Sequence, residues 1–122
     1  MRDIKRPMVI FALNTPDDEL RLHQAGLKAN NYKRLQDMYK GIAENSYIVD
    51  MAHIDLVIDL AIDHKQESIL LLDEDRNAKL VYLADMSEES LGQLVAVSET
   101  EALNQLAYTY NPETKQHYIT VR

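Results

Sequence analysis

The sequence contains no cysteine and no tryptophan, and only three glycines and three prolines in 122 residues. Without cysteine there is no disulfide framework, no thiolate nucleophile, no iron–sulfur cluster and no zinc site that depends on sulfur. With so little glycine and proline, no Ser/Gly/Pro-rich linker divides the chain. One domain spanning 1–122 is expected, because the length is too short for two independent cores. Long apolar runs are also missing. The segment Met8–Leu13 follows the basic residues Arg2, Lys5 and Arg6, but it is shorter than a signal-peptide core and far shorter than a membrane span. The expected location is the cytoplasm. Positive charge is in deficit: 13 Lys+Arg against 20 Asp+Glu gives 13 − 20 = −7. An acidic surface repels phosphate backbones, so neither a nucleic-acid partner nor a membrane partner is expected.

What is present reads as a small mixed domain. Met8–Leu13 is continuous, apolar and partly branched, which suits a buried strand. Asn14, Thr15 and Pro16 end it. Thr15 is expected to cap a helix with Pro16 at its first position and Asp17, Asp18 and Glu19 at the positive end of its dipole. That helix is expected from Asp17 to about Tyr39, with Gly26 as a kink and Lys40-Gly41 as its end. Ser46–Met51 alternates as a second strand. Over Ala52–His64 the residues Ile54, Val57, Ile58, Ala61 and Ile62 form an apolar stripe opposite Asp55, Asp59 and Asp63, a clear amphipathic helix. Ser68–Leu72 and Ala78–Leu83 make a hairpin around the turn Asp73–Asn77. Leu94–Val97 is a short strand, Ser98-Glu99-Thr100-Glu101 a capping box opening a helix to Leu106, and Ala107–Tyr110 with His117–Val121 a terminal β-hairpin. The expected fold is α+β: a mostly antiparallel sheet with two main helices packed on one face, and a C-terminal β-hairpin.

Standard catalytic motifs are absent: no glycine-rich nucleotide or phosphate loop, no His-Glu-x-x-His and no Gly-x-Ser-x-Gly. The four histidines are scattered, and Asp73-Glu74-Asp75 lacks the glycine and terminal glutamate of a calcium loop, so no metal is expected. Two segments carry more. Glu44 stands at the mouth of the second strand, and Glu67 leads into the apolar strand 68–72. If those strands are neighbours, two carboxylates share one cleft. Two ordinary surface glutamates at strand starts would leave the same trace.

These segments resemble the phage-encoded S-adenosylmethionine lyases, long described as S-adenosylmethionine hydrolases. The resemblance rests on Tyr39-Lys40-Gly41, Glu44-Asn45-Ser46-Tyr47-Ile48-Val49, Gln66-Glu67-Ser68-Ile69-Leu70 and Ala78-Lys79-Leu80-Val81-Tyr82. Leu91-Gly92, Val97-Ser98 with Glu101-Ala102-Leu103, and Tyr118-Ile119-Thr120-Val121 follow in the family's order.

The resemblance implies cleavage of S-adenosylmethionine to methylthioadenosine and L-homoserine lactone, by attack of the substrate's own carboxylate on its γ-carbon. It implies Glu44 as the catalytic carboxylate. Glu67 with Gln66 is then expected to grip the amino or ribose groups, with Ser68 beside them in the substrate site, and Tyr39 to bound the adenosine. No cofactor is expected, since S-adenosylmethionine is the substrate. A homotrimer with the site between subunits, and an anti-restriction role through depletion of the methyl donor, are further implications. Two alternatives stay open on the residues alone. One is a non-enzymatic acidic accessory protein of the same fold, binding a host enzyme or a nucleotide-like ligand. The other is an unrelated small α+β domain.

Overall fold

A computed structural model describes residues 6–13, 15–39 and 41–122. Eight strands close into a barrel, each antiparallel to both neighbours: β1 (Met8–Ala12), β2 (Tyr32–Tyr39), β3 (Ile42–Asp50), β4 (Ser68–Leu72), β5 (Asn77–Tyr82), β6 (Ser87–Val97), β7 (Ala107–Asn111) and β8 (Gln116–Val121). The order around the wall is β1-β3-β2-β7-β8-β6-β5-β4. Closure leaves no edge strand exposed. The helices among the described residues are short: α1 (Asp18–Gln24), α2 (Ile54–Asp63, after a 3₁₀ turn Met51–His53) and α3 (Glu99–Leu103).

The expected open α+β sheet with two main helices on one face is therefore overturned. Two misread segments account for it. The stretch expected to be helical up to Tyr39 stops at Gln24, where Gly26 takes a positive φ of 107° and the Leu27 N–H donates back to the Leu22 carbonyl at 3.0 Å. Its second half is strand β2. The short strand expected at Leu94–Val97 is the end of the eleven-residue β6. β2 joins β3 to β7 and β6 joins β5 to β8, so a reading that loses β2 and half of β6 cannot close the wall. The cap of α1 also differs: Asp17 occupies that position, and the Thr15 hydroxyl donates to the Asp17 carboxylate at 2.9 Å instead of capping the helix.

Side chains alternate along each strand, and the two faces have separate cores. The outward row of β1, β3, β4 and β5 (Val9, Phe11, Tyr47, Val49, Ile69, Val81) packs under Leu22 of α1 and Val57, Leu60 and Ala61 of α2. The expected stripe of α2 is shifted round the helix by less than a quarter of a turn: Val57 and Ala61 are buried, Leu60 joins them and Ile62 is half exposed. Tyr32 ties α1 to the wall, its hydroxyl donating to Glu19 at 2.9 Å while its ring meets Tyr47 edge-on at 5.4 Å. The inward row (Ile10, Leu35, Ile48, Leu72, Ala78, Leu94, Tyr118) fills the barrel. The capping box is formed, with Glu101 N–H on Ser98 Oγ at 3.2 Å and Ser98 N–H on Glu101 Oε1 at 3.3 Å. Asp73 serves its hairpin turn: its carboxylate accepts from the backbone of Asp75 and Asn77 and from the Asn77 amide.

Candidate functional site

The inward rows change character along the barrel. On β3 the row runs Ile48, Ser46, Glu44; on β2, Leu35, Asp37; on β4, Leu72, Leu70, Ser68; on β8, Tyr118, Thr120. Apolar residues fill one end, and polar residues line a cavity of about 340 Å³ opening at the other. Topology gathers them. β3 and β4 both run antiparallel to β1, which lies between them, so their first residues reach the same mouth. β6 runs parallel to β4, two places along, and brings Glu89 there.

Four of the residues singled out from the sequence, Glu44, Gln66, Glu67 and Ser68, line this one cavity. Their strands are not neighbours, as the shared-cleft argument supposed, but stand one strand apart. The loop after α2 delivers three of them. Lys65 adopts φ 57°, its N–H donates to the Ile62 carbonyl, and the Gln66 N–H donates to the Ala61 carbonyl at 2.8 Å. This is the Schellman pattern of helix ends. The Glu67 carbonyl then accepts from Leu83 N–H at 3.0 Å. The backbone of Tyr39 ends β2, paired with Ile42 and Ala107, and is not the helix end expected; the contact expected of its side chain lies outside the described residues.

Sequence reasoning missed Asp37, Glu89, Thr109 and Thr120, which also line the cavity. Asp37 stands directly across from Glu44 on one side and Thr109 on the other. The signal was available: Leu35 and Asp37 are two apart, so a strand that buries one points the other inward. Glu89 is engaged by protein, accepting from the Tyr82 hydroxyl at 2.5 Å and facing Arg122 at 3.5 Å. Among the described residues, no ion pair neutralises Asp37, Glu44 or Glu67, and no Lys, Arg or His lines the cavity.

The family model for S-adenosylmethionine lyases matches residues 14–121, which takes in every one of these positions. The chain belongs to the S-adenosylmethionine lyase family. No curated protein matches the sequence.

Within this lyase-family cavity Asp37 is electrostatically costly. Burial pushes its carboxyl up from 3.8 to about 6; nearby Thr109 and Ser46 hydroxyls pull the other way, and Glu44 raises it further. The pull is incomplete, since Asp37 Oδ1 and Ser46 Oγ are both buried without a hydrogen-bond partner. The folded state thus keeps a proton that the unfolded chain releases. Stability falls as pH rises from about 4 to about 6 and stays lowered above that range. A shift from 3.8 to about 6 corresponds to an upper figure of about 3 kcal/mol at neutral pH. Asp37→Asn, with nearly the same shape and no charge, is expected to gain about 1–3 kcal/mol over the parent at pH 7.5. The two proteins should converge near pH 4. Denaturant titrations at both pH values check this, and equal stability at pH 7.5 would rule out the buried-charge account.

Proposed function

We propose that the protein cleaves S-adenosylmethionine to methylthioadenosine and L-homoserine lactone. A carboxylate oxygen of the substrate attacks its own γ-carbon, the Cγ–S bond breaks, and the electron pair leaves on sulfur as a neutral thioether. The lactone keeps the ammonium group, no water is consumed, and the net charge of +1 carries through to the products. The observation that carries this reading is the charge of the cavity: four carboxylates (Asp37, Glu44, Glu67, Glu89) and no basic side chain among the described lining residues. Carboxylates complement the sulfonium and ammonium groups. The substrate carboxylate meets no Lys or Arg to hold it, which leaves it free to fold onto its own chain.

The protein's task is then orientation and exclusion of water. Holding the methionine tail in a near-attack conformer supplies several kcal/mol. The reaction joins an anion and a cation into neutral groups, so a site of low dielectric that strips their hydration favours it. Glu44 is the catalytic carboxylate in this reading. Glu67 and Gln66 hold the amino or ribose groups, Ser68 adds a hydroxyl beside them, and Tyr39 bounds the adenosine.

We further propose a homotrimer with substrate between subunits. What supports it is the exposed apolar surface at the cavity mouth: Ile42 is 65% exposed, Leu106 79% and Val121 43%, and each lies within two residues of a lining residue. In a phage-infected cell such an enzyme acts in the cytoplasm, draining the methyl donor that restriction systems need. No helix among the described residues is long and apolar enough to cross a membrane.

The test is incubation of purified protein with S-adenosylmethionine in ¹⁸O-water, followed by liquid chromatography–mass spectrometry. Methylthioadenosine and unlabelled lactone are expected, with label entering only the carboxyl group of homoserine formed later. Label in the homoserine hydroxyl means water, not the carboxylate, attacked. Intact S-adenosylmethionine returns the chain to the acidic binding-protein alternative.

A further inference from the structure

The lyase reading needs carboxylates that meet the substrate, and the cavity offers four that differ in their surroundings. Glu89 already has the Tyr82 hydroxyl and Arg122. Glu44, the third residue of β3, and Glu67, just before β4, lie at the mouth, Glu67 exposed and Glu44 half-buried. Asp37 is different. Its neighbours across the sheet are Glu44 and Thr109, and its Oδ1 is closed off from solvent with no hydrogen-bond partner. Beside it on the inward row of β3, Ser46 Oγ is buried and equally unpartnered. Buried polar atoms without partners are uncommon in folded proteins, and a buried carboxylate is retained at a cost unless something compensates it. No cation of the protein does so among the described lining residues.

We propose that Asp37 is a specificity-determining residue: its carboxylate pairs with a positive charge on the substrate's methionine tail, so that the cavity selects ligands that carry that charge over those that lack it. This inference rests on the lyase reading. It explains why an acid sits at an inward position of β2, directly after Leu35 on the same row, where an apolar residue would fill the barrel at lower cost. It also gives product release a direction. Cleavage removes the sulfonium charge and separates the neutral methylthioadenosine, which has nothing for Asp37 to hold, from the small lactone, which keeps the ammonium. Asp37 is assigned to selection, not to bond making, and its loss should appear in KM and binding while kcat changes little.

The experiment is calorimetric binding and steady-state kinetics on the parent protein and on Asp37→Asn, with thermal melts to verify folding. Three ligands are used: S-adenosylmethionine, S-adenosylhomocysteine, which keeps the ammonium but has a neutral sulfur, and methylthioadenosine, which has neither charge. Loss of a charge-assisted contact should weaken S-adenosylmethionine binding by roughly ten- to a hundred-fold. Methylthioadenosine should change by less than about two-fold, because no charged contact is involved. If S-adenosylhomocysteine weakens along with S-adenosylmethionine, Asp37 holds the ammonium; if only S-adenosylmethionine weakens, it holds the sulfonium. Equal weakening of all three ligands, or of none, overturns the inference and leaves the lyase reading intact. A folded parent protein that neither binds nor cleaves S-adenosylmethionine sinks both.

Discussion

Glu44→Gln is expected to fold as the parent does and to lose about a hundred-fold in kcat, with a fall in KM. The argument begins with where charge disappears. In the proposed reaction the ground state has a substrate carboxylate inside the cavity lined by Asp37, Glu44, Glu67 and Glu89. In the transition state that carboxylate becomes an ester oxygen and its charge is cancelled against the sulfonium. A fixed negative charge nearby repels the ground state and not the transition state. At about 5 Å and an effective dielectric of about 20, the repulsion is on the order of 3 kcal/mol. If it is relieved on reaction, that is roughly a hundred-fold in rate.

Glutamine keeps the shape and removes the repulsion. Glu67→Gln makes a useful contrast, because a residue that grips the amino or ribose groups contributes to ground and transition states alike, and its loss should raise KM instead. Turnover by chromatography, with circular dichroism to verify the fold, separates the two. Unchanged turnover in Glu44→Gln removes Glu44 from the mechanism.

Glu44 and Glu67 were legible before the fold was, and the reason is physical. A charged residue that leads directly into an apolar strand marks a strand end, and in an antiparallel barrel every second strand begins at the same mouth. The elements with clean periodicity were legible too: β1, the central part of α2 and the β4–β5 hairpin all have rows that are apolar where they face a core. β2 and the first half of β6 were not legible, and both border the cavity. On β2 the inward row passes from Leu35 to Asp37, and outward positions hold Arg34 and Gln36. Arg34 is not idle, since it pairs with Glu19 of α1 at 3.3 Å. On β6 the segment Ser87-Glu88-Glu89-Ser90 has no apolar residue at all, yet Lys79 of β5 reaches across to Glu88 at 2.9 Å. Strands that line a polar cavity give up the hydrophobic alternation by which strands are recognised, so sequence reasoning failed where the barrel interior is polar. Asp37 was lost with β2. Read as helix, that segment gives no reason to set Asp37 opposite Glu44, where β2 places it.

Gly92→Ala is the substitution expected to damage the fold most. Gly92 has φ +87°, in the left-handed region, and a Cβ built there would stand 2.1 Å from the Val121 carbonyl oxygen and 2.7 Å from Arg122 Cα. Both are backbone atoms and cannot rotate away. The position is a bulge site: the register between β5 and β6 slips at Ala78/Lys79, where Ala78 pairs with Gly92. Glycine lets the last residues of β8 approach at the one point where the extra residue of β6 must be accommodated. A methyl group must therefore push β8 outward. This displaces Thr120 from the cavity wall and Arg122 from Glu89. The conformational penalty is about 1 kcal/mol. Overpacking against backbone adds about 1–3 kcal/mol, for an expected loss of about 2–4 kcal/mol in all and a fall in activity with it.

Gly41→Ala isolates the conformational contribution. Gly41 also has a positive φ, +81°, but nothing lies within 4 Å of the position its Cβ would take. It should cost only the backbone penalty of about 1 kcal/mol. Urea titrations of the two variants check the difference. Equal losses would mean that β8 yields freely at Gly92 and that the close approach does not hold the barrel shut.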